Sequence, residues 1–245
     1  MIANRFQFFG GLLTVALVAT RASAQNPTFT TPDAALPAAP GRGLSGAIWS
    51  NDDIGPVDDI AAARAYIGVR PPETLYTATV VDYPNGSTGI GSTDDPLATM
   101  LGVDAASLTD AAVGTRPSLN SIFQIQGFLR VETAGTLTLG VGSDDGSELR
   151  IQGTIVQNND GLHDFPGAAP VAIDFTAPGL YALEILFFES QSSGWGLEFY
   201  QGAAGAGTPV PTTLLYPSPV PEPTAAALAL AGVAAVPLLR KRRAV

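Results

Sequence analysis

Between residues 123 and 199 the chain repeatedly alternates apolar and polar positions with a period of two. In FQIQGFLRV the residues Phe123, Ile125, Leu129 and Val131 fall on one face, and in TLTLGV they are Leu137, Leu139 and Val141. SELRIQ gives Leu149 and Ile151, VAIDF gives Val171, Ile173 and Phe175, YALEILF gives Tyr181, Leu183, Ile185 and Phe187, and WGLEF gives Trp195, Leu197 and Phe199. Successive side chains of a strand point to opposite faces, so each stretch reads as a strand with one buried face. Turn pairs at Ala134-Gly135, Asp145-Gly146, Gln152-Gly153 and Pro178-Gly179 separate them. The pattern predicts an all-β fold, an antiparallel β-sandwich with one face of each sheet buried.

Upstream the pattern is mixed. Residues 43–50, GLSGAIWS, read as a first strand anchored by Trp49, and residues 74–83, TLYTATVVDY, as a second that ends at Pro84-Asn85-Gly86. In IAAARAYI the residues Ile60, Ala63, Arg64 and Ile67 repeat at helical spacing behind Asp58-Asp59, which predicts a short helix capped by acids. Residues 97–104 and 107–113 read as two further short helices. Residues 25–40 and 201–219, rich in Pro, Ala, Gly and Thr, read as extended linkers or irregular lead-ins on either side of one domain over residues 41–200.

Both ends carry targeting patterns. Arg5, an apolar run over residues 8–19 and Ala22-Ser23-Ala24 read as a secretory signal peptide over residues 1–24. Residues 224–239 form an apolar run closed by Arg240, Lys241, Arg242 and Arg243. As a helix this run spans roughly 24 Å at about 1.5 Å per residue, and flanking arginines snorkel to cover the shortfall against a bilayer core of about 30 Å. Val220-Pro221-Glu222-Pro223, the apolar helix and the basic cluster together resemble a PEP-CTERM sorting signal. That resemblance implies recognition and cleavage by an exosortase-type enzyme, in bacteria that build extracellular polysaccharide; a plain membrane anchor is the alternative. The expected localisation is the cell surface or the extracellular matrix, with initial anchoring by the C-terminal transmembrane helix.

Composition narrows the partners. The chain has no Cys, which removes disulfides, thiolate metal sites and thiol nucleophiles. With the two targeting segments set aside, six arginines face 21 acids and no lysine remains, a body charge of −15. Such a surface repels phosphate backbones, so no nucleic-acid partner is expected; divalent cations and neutral glycans are compatible.

The order of strands and turns over residues 120–200, with its Ser-Asp-Asp-Gly-Ser segment at 143–147, resembles the protective-antigen-type (PA-fourteen) lectin-like domain; residues 43–119 match it loosely. The acidic doublet Asp144-Asp145 has two readings. Asp145-Gly146 is a favoured hairpin corner. In sugar-binding members of the resembled family, the matching pair is joined by a cis peptide and both carboxylates bind Ca2+, which orders sugar hydroxyls. The resemblance also implies an amide and carbonyls from the loop between the last two strands. Here that loop holds Gln191 but no Asn or Asp, a departure from the pattern; Asn158, Asn159 and Asp160 are further oxygen donors from another loop.

The expected sites are therefore Asp144 and Asp145 as metal ligands, and Asp144, Asp145, Gln191 and Trp195 for carbohydrate. Trp195 has a rival role as a core residue, because it shares the phase of Leu197 and Phe199. His163, the single histidine, reads as a surface or structural residue rather than a base, and no G-x-S-x-G elbow is present for a hydrolytic triad. The expected function is that of a non-catalytic surface or matrix protein that binds an extracellular polysaccharide. The alternatives are a structural matrix protein without a ligand and, third, a glycan-acting enzyme.

Overall fold

The computed structural model describes residues 25–50, 54–84, 91–190, 194–202 and 207–217. The expected signal peptide, the expected sorting tail over residues 220–245, and Gln191 lie outside the described residues. Among those described, no helix is long and apolar enough to cross a membrane.

Two sheets face each other. The first runs in the order β1 (Thr28–Phe29), β9 (Val171–Phe175), β6 (Gly135–Asp144), β11 (Gly196–Gln201) and β12 (Thr208–Pro209), with β4 (Asp82–Tyr83) sharing one edge of β11 with β12. The second runs β3 (Thr74–Ala78), β2 (Leu44–Trp49), β5 (Ser121–Val131), β10 (Gly179–Glu189), β7 (Ser147–Ile151) and β8 (Thr154–Asn159), with β13 (Leu215–Pro217) beside β5. Neighbouring strands are antiparallel except β1 and β9.

The alternating residues fill the space between the sheets. Phe123 of β5 meets Phe187 of β10 at a ring separation of 5.6 Å, and Phe175 of β9 reaches across to Tyr181 of β10 at 4.7 Å. A smaller cluster lies on the outside of the second sheet, where Trp49, Ile122, Leu186 and Phe188 are covered by Ile54, Val57 and helix α1 (Ile60–Ile67). The helix starts as its sequence requires: the Ala62 amide donates to Asp59 Oδ1 at 2.6 Å, which satisfies one free N–H of the first turn.

Several expectations are revised. Only Gln152-Gly153 closes a hairpin, with both residues at positive φ (48° and 75°) and Ile151 paired to Thr154. The turns at Ala134-Gly135, Asp145-Gly146 and Pro178-Gly179 instead carry the chain from one sheet to the other. Period-two alternation fixes which face is buried but not whether the next strand pairs or crosses.

The single strand expected over residues 74–83 is two strands in different sheets. Buried Asp104 accepts from the Thr79 amide at 3.0 Å, the Thr79 hydroxyl at 2.5 Å and the Tyr83 hydroxyl at 2.8 Å, and so holds the break open. Residues 97–104 form α2 (Leu97–Leu101) and the start of a 3₁₀ turn (Gly102–Ser107). Most of 107–113 is not helical, because the Thr109 amide donates to the Leu75 carbonyl beside β3.

The flanking segments expected as linkers also contribute strands. Phe29 of β1 is buried and stacks on Phe175 at 5.7 Å, while Val210 and Leu215 enter the core from the other end of the chain. Because Phe29 is an integral side chain rather than part of a spacer, Phe29→Ala should cost about 3 kcal/mol of stability. A chemical denaturation midpoint that does not move would return residues 25–40 to the role of a linker.

Candidate cation site at the corner between the sheets

Strand β6 ends where it must leave the first sheet for the second. Its inward residues run Leu139, Val141, Ser143, so the apolar face turns polar at its last rung. Ser143 Oγ donates to Ser147 Oγ at 2.7 Å and accepts from Asn159 Nδ2 at 3.0 Å, which joins β6, β7 and β8 across the gap. Gln157 of β8 accepts the Val141 amide at 2.6 Å and donates to the Ala168 and Ala169 carbonyls. This seam fixes the loop over residues 160–170 against the corner. Gly146 is required there: a Cβ would lie 2.4 Å from the Phe188 ring and 2.9 Å from the Gly161 carbonyl oxygen. The tight bend is thus written into the sequence Asp-Asp-Gly.

The Asp144–Asp145 peptide is cis, and both side chains are buried, each 1% exposed. Glu189, the last residue of β10 and fully buried, joins them: one carboxylate oxygen from each of the three lies within 4.8 Å of the others. Asp145 is held by two loops, its Oδ1 accepting from the His163 amide at 3.2 Å and its Oδ2 from the Ser190 amide at 3.0 Å. Neither oxygen of Asp144 accepts a hydrogen bond of regular geometry.

Burial first, and then the negative charges of Asp145 and Asp164, push the Asp144 carboxyl up to about 6; His163 and the Phe165 amide pull weakly the other way. Two like charges within 4.8 Å of each other repel by at least roughly 3 kcal/mol at an effective dielectric of about 20. A set of hard carboxylate oxygens converging in a buried corner is what a calcium-type cation takes, and what an ordinary turn does not need.

Other sequence-predicted residues go elsewhere. Trp195 is a core residue, 0% exposed, with its indole N–H donating to the Ser92 carbonyl at 2.6 Å and its ring against Gly91, so it has no free face for a sugar. Asn159 is spent on the seam. Asp160 Oδ1 accepts the Ile60 amide at 2.7 Å and so supports the start of α1. Asn158 is exposed. His163 is structural in its ring as well, with Nε2 3.0 Å from the Asn159 carbonyl and Nδ1 3.2 Å from that of Asp164.

Glu189 is the residue the sequence reading missed, although a signal was present. It continues the inward phase of Tyr181, Leu183, Ile185 and Phe187 by one more step of two. A carboxylate that continues an apolar face is a candidate buried acid.

No family model matches the sequence, and no curated protein matches it. Solved structures do. The chain is similar to the PA14 domain of the MpAFP antifreeze protein, with 21% identity and a TM-score of 0.61 over 78% of this chain and 99% of that one. It is also similar to a PA14 sugar-binding domain from an RTX adhesin, with 21% identity and a TM-score of 0.59 over 74% of this chain and all of that one. The described part of the chain therefore has a PA14-like fold, two sheets of mainly antiparallel strands.

Proposed function

We propose that the protein is a non-catalytic carbohydrate-binding protein, exported to the cell surface or extracellular matrix, in which Asp144, Asp145 and Glu189 hold a calcium ion. The observation that carries this reading is the buried Asp144 carboxylate, which accepts no hydrogen bond of regular geometry and lies within 4.8 Å of two other carboxylates. The likeness to a sugar-binding domain supports the choice of ligand. The tail that resembles a PEP-CTERM signal supports sorting by an exosortase-type enzyme, and a neutral extracellular polysaccharide suits the acidic body.

The residues fit calcium. Three carboxylates supply hard oxygens, and backbone carbonyls and water commonly complete a shell of 6–8. Calcium bound there would offer open positions to adjacent sugar hydroxyls. The chain's own part is to aim Asp144 into the corner, and to tie the loops after β8 and β10 to Asp145 through the His163 and Ser190 amides. Ser190 is itself braced, because its hydroxyl accepts the Val57 amide at 2.9 Å. The rim of the site thereby rests on the segment leading into α1.

Calcium at about 100 times its dissociation constant should raise the melting midpoint by roughly 5–10 °C, because an ion bound only by the folded chain stabilises it by about 2.7 kcal/mol. Asp144→Asn and Glu189→Gln should abolish the rise, and calcium-free Asp144→Asn should melt above calcium-free wild type at neutral pH. A calcium response that survives both substitutions would remove the site.

Retention on polysaccharide gels should likewise have a component that calcium adds, a chelator removes, and both substitutions lack. A protein with an intact calcium response and no retention on any neutral polymer, with calcium or without it, is a structural matrix protein, not a lectin.

The pH dependence has two signs. The folded chain holds the Asp144 proton more tightly than the unfolded chain does, so the cost of ionising it is full above pH 6 and disappears as the pH falls toward the ordinary aspartate range. Calcium-free protein should therefore gain about 1 kcal/mol from this group between pH 7 and pH 5. Calcium needs the ionised carboxylate, so its affinity should fall about tenfold over the same interval. Titration calorimetry and melts at the two pH values read both.

A further inference from the structure

The outer face of the second sheet carries a cleft of roughly 200 Å³ lined by Gln126, Phe128, Gly153, Ala182 and Glu184. It has room for several ordered waters. It lies apart from the acid corner, five residues along β10 from Glu189, or about 17 Å at strand rise.

Its shape follows from register. Gln126 and Phe128 on β5, and Ala182 and Glu184 on β10, are out of phase with the inward residues and so face outward. Ala182 is paired directly with Phe128, and its small side chain leaves a hollow beside the ring. Gly153, at the β7–β8 hairpin, adds no side chain. Tyr216 of β13 is paired with Phe128 on its other side, and both aromatic residues are half-buried.

The next rung aligns an amide, a carboxylate and a guanidinium: Gln126, Glu184 and Arg150. Charge is balanced there. Glu184 pairs with Arg64 at 2.7 Å, and Glu148 pairs with Arg150 at 2.6 Å and with Arg64. Two arginines of a body that has only six thus neutralise two glutamates. The amides are loosely held, with Gln126 Nε2 3.3 Å and Gln124 Nε2 3.5 Å from the Glu184 carboxylate, against a usual distance of about 2.9–3.0 Å.

Aromatic surface beside a hollow, with donors and acceptors of no net charge, matches a ring that shows apolar C–H groups on one side and hydroxyls around its edge. We propose that this cleft is a second glycan site, independent of calcium, that takes one neutral pyranose unit of a polysaccharide. Phe128 meets the C–H face; Gln126 and Glu184 meet the hydroxyls. The site stands whether or not the acid corner binds calcium. If both operate, one domain holds two points on a polymer, or joins two polymers, and gains avidity by linkage.

The test is retardation of the full protein in native gels cast with a neutral galactan, mannan or β-glucan, with chelator present throughout. Wild type should be retarded by at least one polymer, and Gln126→Ala and Phe128→Ala should each weaken binding about tenfold, with the melting midpoint of Gln126→Ala unchanged. Absence of retardation in chelator, with or without its return on adding calcium, overturns the proposal. So does equal retardation of both folded variants. If Phe128→Ala does not fold, Gln126→Ala alone decides.

Discussion

The pairing of β5 with β10 is the constraint from which the rest of the molecule is built. It runs unbroken for eleven rungs, from Gly179 opposite Val131 to Glu189 opposite Ser121. Each rung sets the phase of the next, because a slip by one residue would turn every inward side chain outward. With Phe123, Ile125, Tyr181, Leu183, Ile185 and Phe187 committed to the core, Glu189 has no choice of side. It must point inward at the last rung, where β6 crosses to β7 and brings Asp144 and Asp145 to the same place. The acid cluster is thus a consequence of core register, and apolar burial meets the cost of holding like charges together.

The molecule handles its charges in two contrasting ways. On the outside of the second sheet, Arg64 and Arg150 compensate Glu148 and Glu184, so a nearly buried carboxylate there is fully paired. At the corner, burial and the negative charges of Asp145 and Asp164 act together against ionisation of Asp144, whose oxygens accept no hydrogen bond of regular geometry. Desolvation raises the energy of an ionised carboxylate wherever it occurs. Pairing is the remedy in the first case; in the second, the convergence of three carboxylates around Asp144 is the physical ground for the proposed ligand.

What the sequence made legible follows from what alternation encodes. The inward faces of β5, β6, β10 and β11 were readable because apolar residues recur at every second position. The helical spacing of Ile60, Ala63, Arg64 and Ile67, with Asp59 before it, placed α1 in the same way. Partner choice was not readable: Asp145-Gly146 has the composition of a hairpin, yet it joins two sheets, since turn chemistry describes local φ and ψ and not where the following strand pairs. Two-residue strands such as β1 have no period to detect, and it is the pairing of β1 with β9 and the contact of Phe29 with Phe175 that show residues 25–40 to belong to the fold. Asp144 and Asp145 were legible as a doublet. Glu189 was hidden because an acid at the end of an apolar strand also fits a strand emerging into solvent, and only the register with Ser121 separates the two.

The positions of the chain ends give the arrangement its functional sense. The described chain enters beside Phe175 and Gly135 through β1, nine residues along β6 from Asp144, or about 30 Å at strand rise. It leaves at Pro217 opposite Gly127, six residues along β5 from the rung that holds Glu189, or about 20 Å. Neither end of the described chain lies at the acid corner. The outer cleft sits beside Tyr216, close to the exit. A domain held from its C-terminal side would carry the proposed cleft nearer to the tether than the proposed cation site. Differing access, more than differing chemistry, is what would let two glycan contacts on one sandwich serve capture and retention separately.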